Sequence, residues 1–119
     1  MVMQTAERAL TAMAGVMEQH PLAAGQLFVA LDYWLGPGEE VVIVGKFSDD
    51  DVRRVIRAAR RPFAPLRVVA VGEPGDEAAK LPLLADKTPQ GPVTTYICQN
   101  YACKAPLVGV GAAEQALAK

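Results

Sequence analysis

Cys98 and Cys103 are the only cysteines in a chain of 119 residues, and they lie with four residues between them on a loop that follows a short β-prone run. Several chemistries use such a pair. Zinc takes about four ligands from Cys, His or carboxylate, and two cysteines with one distant histidine, His20, do not supply them within one chain. A metal site would require a second molecule. A redox pair normally uses Cys-x-x-Cys at a helix start, where the dipole favours the thiolate, whereas here Lys104 is the only adjacent cation. A disulfide across the six-residue loop is sterically allowed, and loop entropy assigns it about 2 kcal/mol. Buried, purely structural thiols stay open as well, because free cysteine is among the most buried residue types. Cys98 and Cys103 are therefore redox or structural thiols, with no catalytic residue, cofactor site or metal site assigned.

The other chemistry-bearing residues have plainer explanations. Asp49-Asp50-Asp51 followed by Arg53, Arg54, Arg57, Arg60 and Arg61 matches what a helix macrodipole favours, carboxylates at its start and cations at its end, each worth about 0.3 to 1 kcal/mol. Gly45 follows an apolar run, but Val44-Gly45-Lys46-Phe47-Ser48-Asp49 lacks further glycines, and its acidic continuation would repel a phosphate. Gly72-Glu73-Pro74-Gly75 and Gly109-Val110-Gly111 read as turns. His20 precedes Pro21 and reads as a helix C-terminal cap or hinge, and Trp34 as a core residue.

Bulk properties narrow the class. A hydrophobic fraction of 51% in 119 residues suffices for one domain without disulfide stapling. The net charge of −1 offers no general attraction to nucleic acid or an anionic membrane. No stretch approaches the roughly 20 apolar residues of a membrane span, and the amino terminus lacks a signal-type core. The expectation is a cytoplasmic protein that binds neither nucleic acid nor membrane.

These residues need a scaffold. Ala6, Leu10, Met13, Ala14 and Met17 form the stripe of a helix over about residues 4 to 19. Pro21 suits the first turn of a second helix carrying Ala23, Leu27, Ala30, Leu31 and Trp34, which Gly36-Pro37-Gly38 ends. Phe28, Val29 and Leu35 lie off that stripe, so this helix should be sandwiched, with a sheet on its far side. The continuous β-branched run Val41–Val44 predicts a strand covered on both faces. Ser48 and Asp51 match a capping box before a helix marked by Val52, Val55, Ile56 and Ala59. Leu66–Val71 is a second strand, completing a βαβ unit. Residues 72–93 form a long connection with an apolar knot at Leu81-Pro82-Leu83-Leu84, Thr94–Cys98 is the third strand, and Ala112–Ala118 a closing helix. The fold expected is α/β over 1–119 as a single domain: a helical hairpin, 1–38, packed on a small three-stranded, mainly parallel sheet, 39–119, in the order 2-1-3.

The run Thr94-Thr95-Tyr96-Ile97-Cys98-Gln99-Asn100-Tyr101-Ala102-Cys103-Lys104-Ala105-Pro106 resembles the carboxy-terminal signature of the large spermatogenesis-associated, thioredoxin-domain-containing proteins, a Thr-Ala-Tyr-Val-Cys, Cys, Pro pattern. Ala30-Leu31-Asp32, Val42-Ile43-Val44-Gly45, Arg60-Arg61-Pro62-Phe63-Ala64-Pro65 and Leu81-Pro82-Leu83-Leu84 also look like the tail of that family, in that order. The resemblance implies a parent with a thioredoxin-like domain and an α/α toroid similar to six-hairpin glycosidases, whose redox and sugar-site residues lie upstream. Only Cys98 and Cys103 carry over, as signature residues. It implies a non-catalytic carboxy-terminal docking module whose helical hairpin packs on the rest of the parent chain or pairs in a self-dimer. The alternative is a small thiol-disulfide switch built on the same cysteines.

Overall fold

The computed structural model describes residues 2–73, 87, 89–100 and 102–118. The chain divides into two compact units, Met1–Pro37 and Gly38–Lys119.

The first unit is helical. Helix α1 spans Val2–Ala12 and α2 spans Ala14–Gln19, so the single helix expected over 4–19 is interrupted. Met13 sits at φ −95°, ψ 2°, while hydrogen bonds from Met13 N to Ala9 O and from Met17 N to Met13 O keep the ladder nearly continuous. The weak helix former Gly15 follows in the next turn. Pro21–Ala23 forms a separate 3₁₀ turn, and α3 begins only at Gly25 and runs to Leu35. Gly36, at φ 65°, caps it by donating its N–H to Asp32 O, a backbone geometry that glycine adopts without a Cβ penalty. Helix α1 touches both α2 and α3. None of the residues of α3 is buried. Among the described residues of this unit, Met17 and Ala24 are the buried ones.

The second unit is a mixed sheet with helices. Strands β1 (Glu39–Gly45), β2 (Arg67–Gly72) and β3 (Val93–Gln99) stand in the order β2-β1-β3. Two short strands extend it: β4 (Ala102–Cys103) and β5 (Leu107–Val108) both pair with β3. The sheet thus has five strands rather than three, and it is mixed rather than mainly parallel. Only β1–β2 is parallel, whereas β3 runs antiparallel to β1. Val44 is in register with Gly72 on β2 and Gly45 with Val93 on β3, so β3 starts at the end of the sheet where β2 finishes. Entering there makes β3 antiparallel without a second crossover. The Leu81–Leu84 knot and most of that connection lie outside the described residues.

Alternation along β1 divides the core. Val41 and Ile43 point to the face covered by α4 (Asp50–Arg60) and α5 (Val110–Leu117), where Val52, Val55, Ala59, Val93, Ile97, Ala113 and Leu117 join them. Val42 and Val44 point to the other face, with Tyr96 and Cys98. The cap of α4 is Asp49 rather than Ser48: its carboxylate accepts from Asp51 N at 2.9 Å, leaving Asp50 and Asp51 in the first turn where the dipole favours them.

One polar group ties the helix face together. Arg67 Nε donates to Glu39 Oε2 at 2.7 Å across the parallel pair, and its NH1 nitrogen donates to Ala59 O at 2.9 Å, one of the last carbonyls of α4. The Arg67 side chain is only 7% exposed. Removing one partner from a buried pair leaves the other charge and a helix carbonyl unsatisfied. Arg67→Ala is expected to lower stability by about 3 kcal/mol in urea denaturation, against less than about 1 kcal/mol for Arg54→Ala, whose ion pair with Glu114 is solvent-exposed.

Candidate functional site

Cys98 and Cys103 meet on one hairpin. Strand β3 pairs antiparallel with β4, which places Cys98 opposite Cys103 and Gln99 opposite Ala102. Asn100 adopts φ 50°, a left-handed conformation that asparagine tolerates. The two cysteines are joined by a disulfide, with their Cα atoms 3.9 Å apart. Lys104 N donates to Ile97 O at 3.0 Å and closes the hairpin just beyond the bridge. Every cysteine of the chain is therefore bonded, and of the readings open at the level of sequence the structure presents the disulfide.

The two ends of the bridge stand in different surroundings. Cys98 is 2% exposed among Val42, Val44 and Tyr96, held there because β3 pairs with β1 along its length, with Glu40 in register beside Cys98. Cys103 is exposed on its two-residue strand, followed by exposed Lys104. On the Cys98 side, Lys87 Nζ stands 5.9 Å from the Tyr96 ring centroid, within the range of a cation–π contact.

The remaining sequence candidates are structural. His20 is the C-cap of α2, its N–H donating to Val16 O at 2.8 Å, and it belongs to the first unit. Trp34 is half-buried. Gly45 is required by packing: a Cβ there would lie 2.5 Å from Val52 Cγ2 and 2.7 Å from Pro92 O. The arginines of α4 are partly engaged, Arg53 with Asp50 at 2.9 Å and Arg54 with Glu114 of α5 at 2.8 Å. No group of three or more His, Cys, Asp or Glu suited to a metal occurs among the described residues. No helix among them is long and apolar enough to cross a membrane. Sequence reasoning missed the Glu39–Arg67 pair, whose members are too far apart in the chain for any spacing rule to join them.

Comparison with known proteins adds no relative: no family model, no curated protein and no solved structure matches the chain.

Because β4 is only two residues long, the covalent bridge supplies much of what keeps the hairpin closed. Reduction is expected to raise the free-thiol count of the folded chain from none to two and to lower its stability by about 2 kcal/mol in urea denaturation. An unchanged midpoint would show that the bridge does not constrain the chain.

Proposed function

We propose that this chain is a non-catalytic docking module that lays the apolar surface of its helical unit against the rest of a larger polypeptide. The observation that carries this reading is α3: eleven residues, Gly25–Leu35, apolar in composition and none of them buried. Val29 is 65% and Leu35 72% exposed, and Phe28 and Tyr33 are exposed beside them in sequence. Apolar side chains gathered on one exposed element mark interaction surfaces more often than they mark solvent-facing ones. The resemblance of the segments around Cys98 and Cys103 to the tail of thioredoxin-domain-containing, glycosidase-like proteins supplies the partner, the helical toroid of such a parent. No turnover is assigned to the chain itself. Hydrolysis of a glycosidic bond needs two carboxylates facing across a pocket, and here Asp49 is engaged as a helix cap while Asp50 and Asp51 occupy the first turn of α4.

A second reading, a thiol-disulfide switch, is favoured by a separate observation: the Cys98–Cys103 bridge has one solvent-exposed end. Opening it would free β4 from β3 at the edge of the sheet.

Light scattering after size exclusion, together with binding of a hydrophobic dye, tests the docking module. The chain is expected either to bind dye as a monomer or to dimerise with rising concentration, which would name a second copy as the occupant. The double substitution Val29→Asp and Leu35→Asp should abolish both behaviours without unfolding the sheet. A monomer that binds no dye at any concentration would contradict the reading.

A further inference from the structure

We propose that Cys103 is the sulfur at which this chain exchanges with small thiols and disulfides of the glutathione class, and that Cys98 is the resolving partner. The inference rests on the second reading, in which the pair opens and closes. Two features of the hairpin carry it. Cys98 is buried against Val42, Val44 and Tyr96, so a thiolate approaching its sulfur would have to shed its water and enter an apolar cluster. Cys103 lies exposed on an edge strand of two residues, where approach costs no such desolvation.

The exchange then has a fixed order. In the reducing direction a thiolate attacks Cys103 Sγ, a bond forms between that sulfur and the incoming one, and the bond to Cys98 breaks. Cys98 leaves as a thiolate and takes a proton from solvent. A second small thiolate attacks the small-molecule sulfur of the mixed disulfide, releasing the symmetric disulfide and the Cys103 thiolate. Two electrons pass from two small thiols to the protein pair. In the oxidising direction the Cys103 thiolate attacks the small disulfide and expels one thiolate. The deprotonated Cys98 then attacks Cys103 Sγ and expels the second, restoring the bridge. Because Cys98 stands directly opposite Cys103 in the hairpin register, the closing step is intramolecular and the mixed disulfide is short-lived in the intact pair.

The test treats the reduced full chain with oxidised glutathione and maps the product by peptide mass. Cys98→Ser should accumulate one glutathione at Cys103, whereas Cys103→Ser should be modified at Cys98 at least about tenfold more slowly, in keeping with site-selective reaction of accessible thiols. The unmutated chain should return to the intramolecular disulfide. A brief pulse of iodoacetamide on the reduced, unmutated chain gives the same answer without any variant, and should label Cys103 before Cys98. Equal rates for the two variants, or equal labelling in the pulse, would overturn the assignment while leaving a reversible pair intact. A chain that never re-forms its disulfide from oxidised glutathione would instead remove the switch on which the assignment rests.

Discussion

Strand β1 has to bury four consecutive β-branched side chains, Val41–Val44, each no more than 2% exposed, and neighbouring side chains on a strand point to opposite faces. Both faces therefore need cover, and the second unit is organised around that demand. Strands β2 and β3 flank β1, α4 and α5 close over Val41 and Ile43, and Tyr96 and Cys98 gather with Val42 and Val44. Full burial of each such side chain is worth about 1.5 to 3 kcal/mol, more than any single exposed ion pair in the unit. The polar devices at the ends of β1 follow from the same geometry. Arg67 joins Glu39, at its start, to the last turn of α4, and Gly45 at its end admits Val52 and Pro92 to a distance no side chain would allow.

The bridged hairpin depends on that strand as well. Cys98 has its address because β3 zips against β1 from Val93 to Cys98, which buries one sulfur-bearing residue in the sheet. Cys103 has no comparable anchor, since β4 pairs through two residues only. A typical backbone hydrogen bond contributes about 1 kcal/mol net, so a strand this short is held as much by its covalent link as by its ladder. One sulfur is thus fixed within the sheet, the other only tethered at its edge. The Thr95 hydroxyl, on the helix face between Ile43 and Leu107 in the register, is buried without a partner, a cost of about 1 to 3 kcal/mol that the surrounding apolar burial outweighs.

Much of this was legible in the residues, and the misses have physical causes. The β-branched run of β1 and the stripe Val52, Val55, Ala59 mark their elements because burial on a strand or helix repeats with a fixed period, and the order β2-β1-β3 follows from a βαβ unit. Strands β4 and β5 are too short for any period to register. The direction of β3 depends on which end of the sheet the chain re-enters, information that lies in a connection of Gly, Pro and charge without a pattern. Asp49 displaced Ser48 as the cap of α4 because either oxygen reaches a free N–H and propensity does not separate them. The spacing of Cys98 and Cys103 allowed a bridge without requiring one; what decides it is the antiparallel pairing of β3 with β4, which sets the two cysteines face to face.

The two units thus stand in contrast, one with a filled core and one whose apolar helix α3 has no buried residue. Opening free energies in a protein rise with local burial, so amide hydrogen exchange on the intact, oxidised chain tests this contrast most directly. The account predicts the strongest protection at Val41–Val44 and Thr94–Ile97, and at the α3 amides from Val29 to Leu35 exchange faster by at least about tenfold, as sub-global opening permits. Protection of α3 equal to that of β1 in a monomeric chain would contradict it, since a helix that stable has already found its cover.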